Sequence, residues 1–324
     1  MPIYPNTLVL PRPGTVALPP QSLIPAPAEA AFTATFGTLL PQAKFLETSN
    51  GKAAYYKLLP SSTDGNSVGP NCVLFIHGVQ TPALGMLPLA RALHASTPHA
   101  HFVLVDLWGH GLSDTPIVPH DATLFHQLLD ALLDQLEWLS AHLVGFSFGG
   151  ALTVGYVASR PSRVQSFVLV APAGMIRSSK FTPDQQGYLR GGDEAAAQKW
   201  ILELLEGGQL VVPSDWKQRV AKGEVVAEAV REWQMREHPG HFASVVAAFR
   251  NGGVFDNHAE FQKASRAGIP SFAVLGELDD VCTEADLREN GFSNVAVVSQ
   301  VGHGVVRERV PEVAQLIGGF WGNL

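Results

Sequence analysis

The run Ala141-His142-Leu143-Val144-Gly145-Phe146-Ser147-Phe148-Gly149-Gly150 passes from a short apolar segment, through a Gly-x-Ser-x-Gly turn, into a helical pattern that continues to Ser159. Such a junction forces Ser147 toward unfavourable φ. Crowding on either side of it excludes a Cβ two positions before and two after, hence Gly145 and Gly149. The turn therefore lifts the Ser147 hydroxyl above the C-terminal edge of whatever sheet holds 141–145. The helix beginning at Phe148 directs free backbone N–H groups toward the same place.

Working outward, apolar runs alternate with helical patterns on both sides of this junction. Upstream come a strand over Cys72–His77, a helix near Leu84–Ser96, a strand over His101–Asp106 and a helix near Leu124–Glu137; downstream, a strand over Val164–Ala171. The order of strand, helix, strand predicts a mostly parallel sheet with helices on both faces. Asn50-Gly51, between Lys44–Thr48 and Ala53–Leu59, predicts an opening β-hairpin. From about Met175 to Ala267 the alternation stops, and only helical patterns remain: Ala195–Glu206, Glu224–Glu237 and Phe242–Arg250. It resumes with a strand over Pro270–Gly276, a helix over Thr283–Glu289, a strand over Asn294–Ser299 and a closing helix over Pro311–Trp321. A helical block interrupting a βα series reads as an insertion. The expected division is thus an arm (1–41), a core (42–174 and 268–324) and an inserted helical lid (175–267).

The arm carries Pro2, Pro5, Pro11, Pro13, Pro19, Pro20, Pro25 and Pro27, a composition that predicts extended or irregular chain, able to wrap the domain or an oligomer partner or to stay disordered. It lacks the basic and apolar regions of a signal peptide. With 324 residues, 46% of them hydrophobic, the chain has enough apolar material to fill a core without staples. A net charge of −7 with no Lys/Arg block argues against nucleic acid or an anionic membrane as partner and toward a small organic molecule. Self-association, through the arm or the lid, is the one macromolecular contact these features invite. Cys72 and Cys282 form no metal or redox spacing, so buried free thiols in a reducing, cytoplasmic setting are expected, with no metal and no organic cofactor.

A serine hydroxyl needs a base to take its proton, and histidine has the suitable pKa. Among 12 histidines, His303 in Val301-Gly302-His303-Gly304 follows the last predicted strand, on a loop at the same sheet edge as Ser147. His77 is read as structural, and His94, His99, His101, His126, His238, His241 and His258 as structural, solvated or lid residues. The base needs an acid to orient it, and Gly276-Glu277-Leu278-Asp279-Asp280 follows the preceding strand. Asp279 is the expected partner, ahead of Asp280 and Glu277. Phe75-Ile76-His77-Gly78-Val79-Gln80 ends another central strand, where Gly78 lets the Val79 N–H face an oxyanion opposite the Phe148 N–H. Gly78, Phe146, Trp200 and Trp233 are the expected pocket lining.

Together His77-Gly78, Asp106 with Gly109-His110-Gly111, the Ser147 turn, and Asp279 with His303 resemble the α/β-hydrolase superfamily, in particular its lidded esterases, lactonases and C–C bond hydrolases. The resemblance runs from about Phe45 to the C-terminus. It implies an eight-stranded, mostly parallel sheet under a helical lid, no cofactor, and Ser147, Asp279 and His303 as a catalytic triad. Epoxide hydrolases and haloalkane dehalogenases of this family attack with Asp, whereas Ser stands here. C–C hydrolases usually place Trp after the catalytic His, whereas this chain has Gly304, and Arg190 is an uncertain counterpart of their lid arginine. The expectation is cleavage of an ester or lactone of a small, largely apolar substrate. Two rivals are a C–C hydrolase of a β-diketone using the same residues, and a non-hydrolytic ligand-binding receptor on the same fold.

Overall fold

The computed structural model describes residues 8–15, 23–62, 69–207 and 209–324. Eight strands form one sheet: β1 (Lys44–Thr48), β2 (Gly51–Leu58), β3 (Cys72–Ile76), β4 (His101–Val105), β5 (Ala141–Phe146), β6 (Val164–Val170), β7 (Ser271–Gly276) and β8 (Val295–Val298). Their order is β1-β2-β4-β3-β5-β6-β7-β8. The β1–β2 hairpin and the β2–β4 pair are antiparallel, and all other pairs are parallel. Because β3 to β8 run the same way, the loops leaving their C-terminal ends gather along one edge, where open α/β sheets place their ligands.

The α-helices among the described residues are α1 (Glu29–Phe36), α2 (Leu87–Ser96), α3 (Ala122–Gln135), α4 (Phe148–Ser159), α5 (Pro183–Arg190), α6 (Glu194–Glu206), α7 (Trp216–Ala221), α8 (Ala227–Glu237), α9 (His241–Asn251), α10 (His258–Ser265), α11 (Glu284–Glu289), α12 (Val305–Glu308) and α13 (Val310–Trp321). Local chemistry explains several boundaries. The Asp121 carboxylate accepts from Leu124 N–H at the start of α3, and Leu124, Phe125, Leu128, Leu129, Leu132 and Leu133 recur at helical spacing to bury one face. In α4 every residue from Phe148 to Val157 is buried, so no polar face is needed, and its sequence has none. β5, buried along its whole length, is the central strand beneath it.

Two expectations about organisation meet a different structure. The arm is not simply extended, for α1 buries Phe32 and Phe36 against the helical block. Phe32 stands edge-on to Trp233 at 5.3 Å, and Phe36 lies 5.9 Å from Trp233 and 6.3 Å from Trp216. Ile24 exchanges both backbone hydrogen bonds with Thr115, and the Ala26 N–H donates to Asp114, so the described arm is fastened to the body. Residues 1–7 and 16–22 of the expected arm lie outside the described residues. Within the block between β6 and β7, α10 packs on α4, and its Phe261 meets Phe292 at 5.9 Å. That final helix therefore belongs to the layer covering the sheet, because its apolar face, Phe261 and Ala264, is needed there.

Candidate active site

Ser147 follows β5 directly and adopts φ 52° and ψ −117°, a backbone state that non-glycine residues occupy only when the surroundings enforce it. The enforcement is visible in its neighbours. A Cβ on Gly149 would stand 2.0 Å from the Ile76 carbonyl oxygen, and one on Gly145 would stand 2.3 Å from Thr153 Oγ1 and 2.5 Å from the Gly149 carbonyl oxygen. The turn is thus clamped between β3 and α4, with Ser147 at the N-terminus of α4. Its own N–H donates to the Val170 carbonyl, which ties the turn to β6 as well.

The loop after β8 brings His303 to this hydroxyl. His303 Nε2 lies 2.9 Å from Ser147 Oγ, and His303 Nδ1 lies 3.1 and 3.2 Å from the two carboxylate oxygens of Asp279. A carboxylate so placed accepts the Nδ1–H. Nε2 is then left as the unprotonated nitrogen facing the serine. The Asp279 side chain is fully enclosed, and its Oδ1 also accepts from the Val281 N–H at 2.9 Å. Asp280 and Glu277 are exposed, and Glu277 accepts from the Gln300 N–H instead. The choice among the three acids is therefore made by the turn after β7, which directs only Asp279 inward.

The loop after β3 forms the opposite wall. A Cβ on Gly78 would come within 3.1 Å of Ser147 Cβ and 3.0 Å of the Phe146 ring, so the backbone here runs against the nucleophile turn. Among the described residues no hydrogen bond engages the N–H of Val79 or of Phe148. His77 accepts from the Leu107 N–H through Nε2 at 2.9 Å, which leaves the proton on Nδ1 to donate to the Gly78 carbonyl. Burial, aided by the adjoining His110, holds its pKa well below the ordinary value, as befits a neutral structural imidazole. His110 reaches the Val79 carbonyl at 2.5 Å from the far side, so both histidines brace this loop.

Asp106 performs a similar task after β4. Its enclosed carboxylate accepts from Tyr56 OH, Ala83 N–H and Leu112 N–H at 2.8–2.9 Å. Burial raises its pKa to about 6 against these hydrogen bonds.

The four expected pocket residues divide. Gly78 and Phe146 lie beside Ser147, with the Phe146 ring 5.3 Å from that of His303. Trp200 packs instead with Phe181 and Tyr188, and Trp233 is enclosed by Phe32 and Phe36, because the apolar face of α1 claims it. Two neighbours of the site were not foreseen. Gln234 of α8 accepts from the Gly111 N–H at 2.7 Å and donates to the Gln80 carbonyl, joining the helical block to the loop after β3. Arg307 of α12 holds its guanidinium carbon 5.3 Å from the Phe146 ring centre, on a short helix whose first two residues, Val305 and Val306, are buried. The available signal was a cation directly after Val305-Val306, four residues past His303.

Comparison with known proteins agrees with this fold. A family profile described as alpha/beta hydrolase fold matches residues 71–224. The chain is 26% identical over 220 residues to the dihydrolipoyllysine-residue acetyltransferase component of an acetoin cleaving system from Pseudomonas putida, covering 67% of this chain and 55% of that one. It therefore spans little more than half of that relative. It is 29% identical over 266 residues to monoacylglycerol lipase ABHD6 of Mus musculus, covering 76% and 74% of the two chains. Among solved structures, the enol-lactonase from Burkholderia xenovorans LB400 superposes with a TM-score of 0.61 at 19% identity, over 86% of this chain and 99% of that one. Sheet order, mostly parallel strands, the strained turn after β5 and these similarities lead to one conclusion: the chain has the α/β-hydrolase fold.

Proposed function

We propose that the protein is a serine hydrolase that cleaves an ester or lactone through an acyl-enzyme on Ser147. The observation that carries this reading is the continuous relay from Asp279 through His303 to Ser147, with contacts of 3.1 and 2.9 Å. Ser147 Oγ attacks the substrate carbonyl carbon while its proton passes to His303 Nε2. The carbonyl oxygen takes up the negative charge and is met by the N–H groups of Val79 and Phe148, the latter at the N-terminus of α4. The C–O bond to the leaving alcohol then breaks, and the alcohol receives the proton from His303. Water repeats the sequence on the acyl carbon, His303 taking its proton, and the acid leaves as Ser147 Oγ is reprotonated. Asp279 stays ionised throughout and stabilises the imidazolium.

The names monoacylglycerol lipase and enol-lactonase among the relatives point to the same bond classes. The helices between β6 and α10 serve as the lid over the site. Gln234 ties them to the loop that carries Val79, so substrate entry and oxyanion binding are linked through one side chain.

A panel of esters, lactones and β-diketones, run on wild type and Ser147→Ala, tests the proposal. Ester or lactone turnover that falls by about 10⁴-fold or more in the variant is expected. Turnover of diketones alone would favour C–C cleavage. Ligand binding without any turnover would favour a receptor.

A further inference from the structure

Arg307 is a partly exposed cation set into the wall of the active site with its hydrogen-bonding capacity almost unused. A guanidinium has five N–H donors. Here Nη1 makes one long contact, 3.5 Å to Thr81 Oγ1, and Nε and Nη2 make none among the described residues. No carboxylate stands within ion-pairing distance of it among those residues. Glu228 is engaged by Arg231 at 3.5 Å, and the Glu308 side chain folds back over Gly304. Crowding by protein, with Arg231 nearby, lowers the Arg307 pKa to about 10, which still leaves it charged at neutral pH.

Its position matters more than its charge alone. One Phe146 ring is shared, with Arg307 at 5.3 Å and the His303 ring also at 5.3 Å from its centre, while the ring edge adjoins Gly78 and Ser147. Arg307 and His303 thus both stand against the one ring that adjoins the nucleophile turn. Thr81 belongs to the same loop as Val79, so the cation also borders the strand end that supplies an oxyanion donor. A half-buried guanidinium with a free edge is matched by a planar carboxylate, which can accept two parallel N–H bonds.

Resting on the assignment of Ser147 as nucleophile, we propose that Arg307 is a specificity-determining residue that binds a carboxylate on the substrate, so that the preferred ester or lactone carries a second, ionised carboxyl group a few carbons from the bond cleaved. Such a substrate would leave the enzyme as a dicarboxylate or a hydroxy acid anion.

The test compares monoethyl glutarate with ethyl pentanoate, which has the same acyl chain without the carboxylate, by pH-stat at constant ionic strength. Wild type is expected to favour the glutarate ester at least tenfold in kcat/KM. In Arg307→Gln this preference should shrink by ten- to a hundredfold, mainly through KM. Arg307→Lys should lie between, since it keeps the charge but loses the fork. An equal preference in wild type and Arg307→Gln, or a wild type that favours the neutral ester, overturns the inference. Glutarate binding to wild type and Arg307→Gln by calorimetry gives a measure independent of turnover. Saturable binding at least tenfold tighter in wild type supports the carboxylate site even if no ester is hydrolysed, an outcome in which only the hydrolase reading fails. Ester turnover with no glutarate binding and no charge preference leaves the hydrolase reading standing and removes this one.

Discussion

Lowering the pH from 7.5 to 5 is expected to remove much of the stability of the fold, through histidines enclosed as neutral rings. Burial lowers the pKa of His120, His126, His142 and His238 to about 4 each, and lowers His77, His110 and His241 as well. His77, His110 and His241 are ring neighbours at 5.1 and 4.8 Å, and His238 follows at 6.2 Å, so four of the seven form one cluster beside the loops after β3 and β4. In the unfolded chain each histidine takes up a proton near pH 6.5; in the folded chain the four take theirs only near 4. The unfolded state therefore binds more protons throughout that window. Stability is fully present above about pH 6.5 and falls as the pH drops toward 4. At pH 5 each of the four costs about 2 kcal/mol relative to neutral pH. Asp106 has the opposite sign: burial raises it to about 6, so acidification relieves its buried charge, by about 1 kcal/mol over the same range. The net loss, about 7 kcal/mol, is comparable to the entire stability of an ordinary domain. Urea unfolding followed by far-UV circular dichroism at pH 7.5, 6.5, 5.5 and 5.0 should show the midpoint falling by more than half. His238→Gln, which can still donate to the Ser113 carbonyl, should reduce the pH slope by about one proton. A midpoint that stays level from pH 7.5 to 5, or a slope unchanged in His238→Gln, refutes the reasoning.

Other perturbations probe separate parts of the structure. Gly149→Ala places a methyl 2.0 Å from the Ile76 carbonyl oxygen, where both sides are backbone, and is expected to cost about 3 kcal/mol or more or to yield no soluble protein; denaturant unfolding against wild type decides. Phe32→Ala empties the space between α1 and Trp233 and should cost about 3–5 kcal/mol, while a loss under 1 kcal/mol would mean that the arm merely rests on the body. Asp279→Asn leaves the shape intact but reverses the donor at His303 Nδ1, so kcat should fall about 10⁴-fold with unfolding unchanged.

The sheet was legible because β3 to β8 are short apolar runs separated by helical patterns, and α4 and its turn were read to the residue. α1 was hidden by the prolines around it, although Phe32 and Phe36 stand at the i, i+4 spacing of a helix face. α10 carries its apolar face in two residues, Phe261 and Ala264, too few to separate a core helix from a lid helix by pattern. At the site, chain order and loop position sufficed for Ser147, His303 and Asp279. Side chains whose direction depends on packing did not follow: Trp233 points to a helix that had not been foreseen, and Arg307 reaches Phe146 only because α12 follows the His303 loop so closely.

The claim that Ser147 is the nucleophile is tested most directly by reaction with a fluorophosphonate probe, followed by peptide mapping of the adduct in wild type, Ser147→Ala and His303→Ala. The account predicts a single adduct on Ser147, absent in Ser147→Ala and formed at least a thousandfold more slowly in His303→Ala. An adduct on any other residue, or a His303→Ala protein that labels at the wild-type rate, would contradict it.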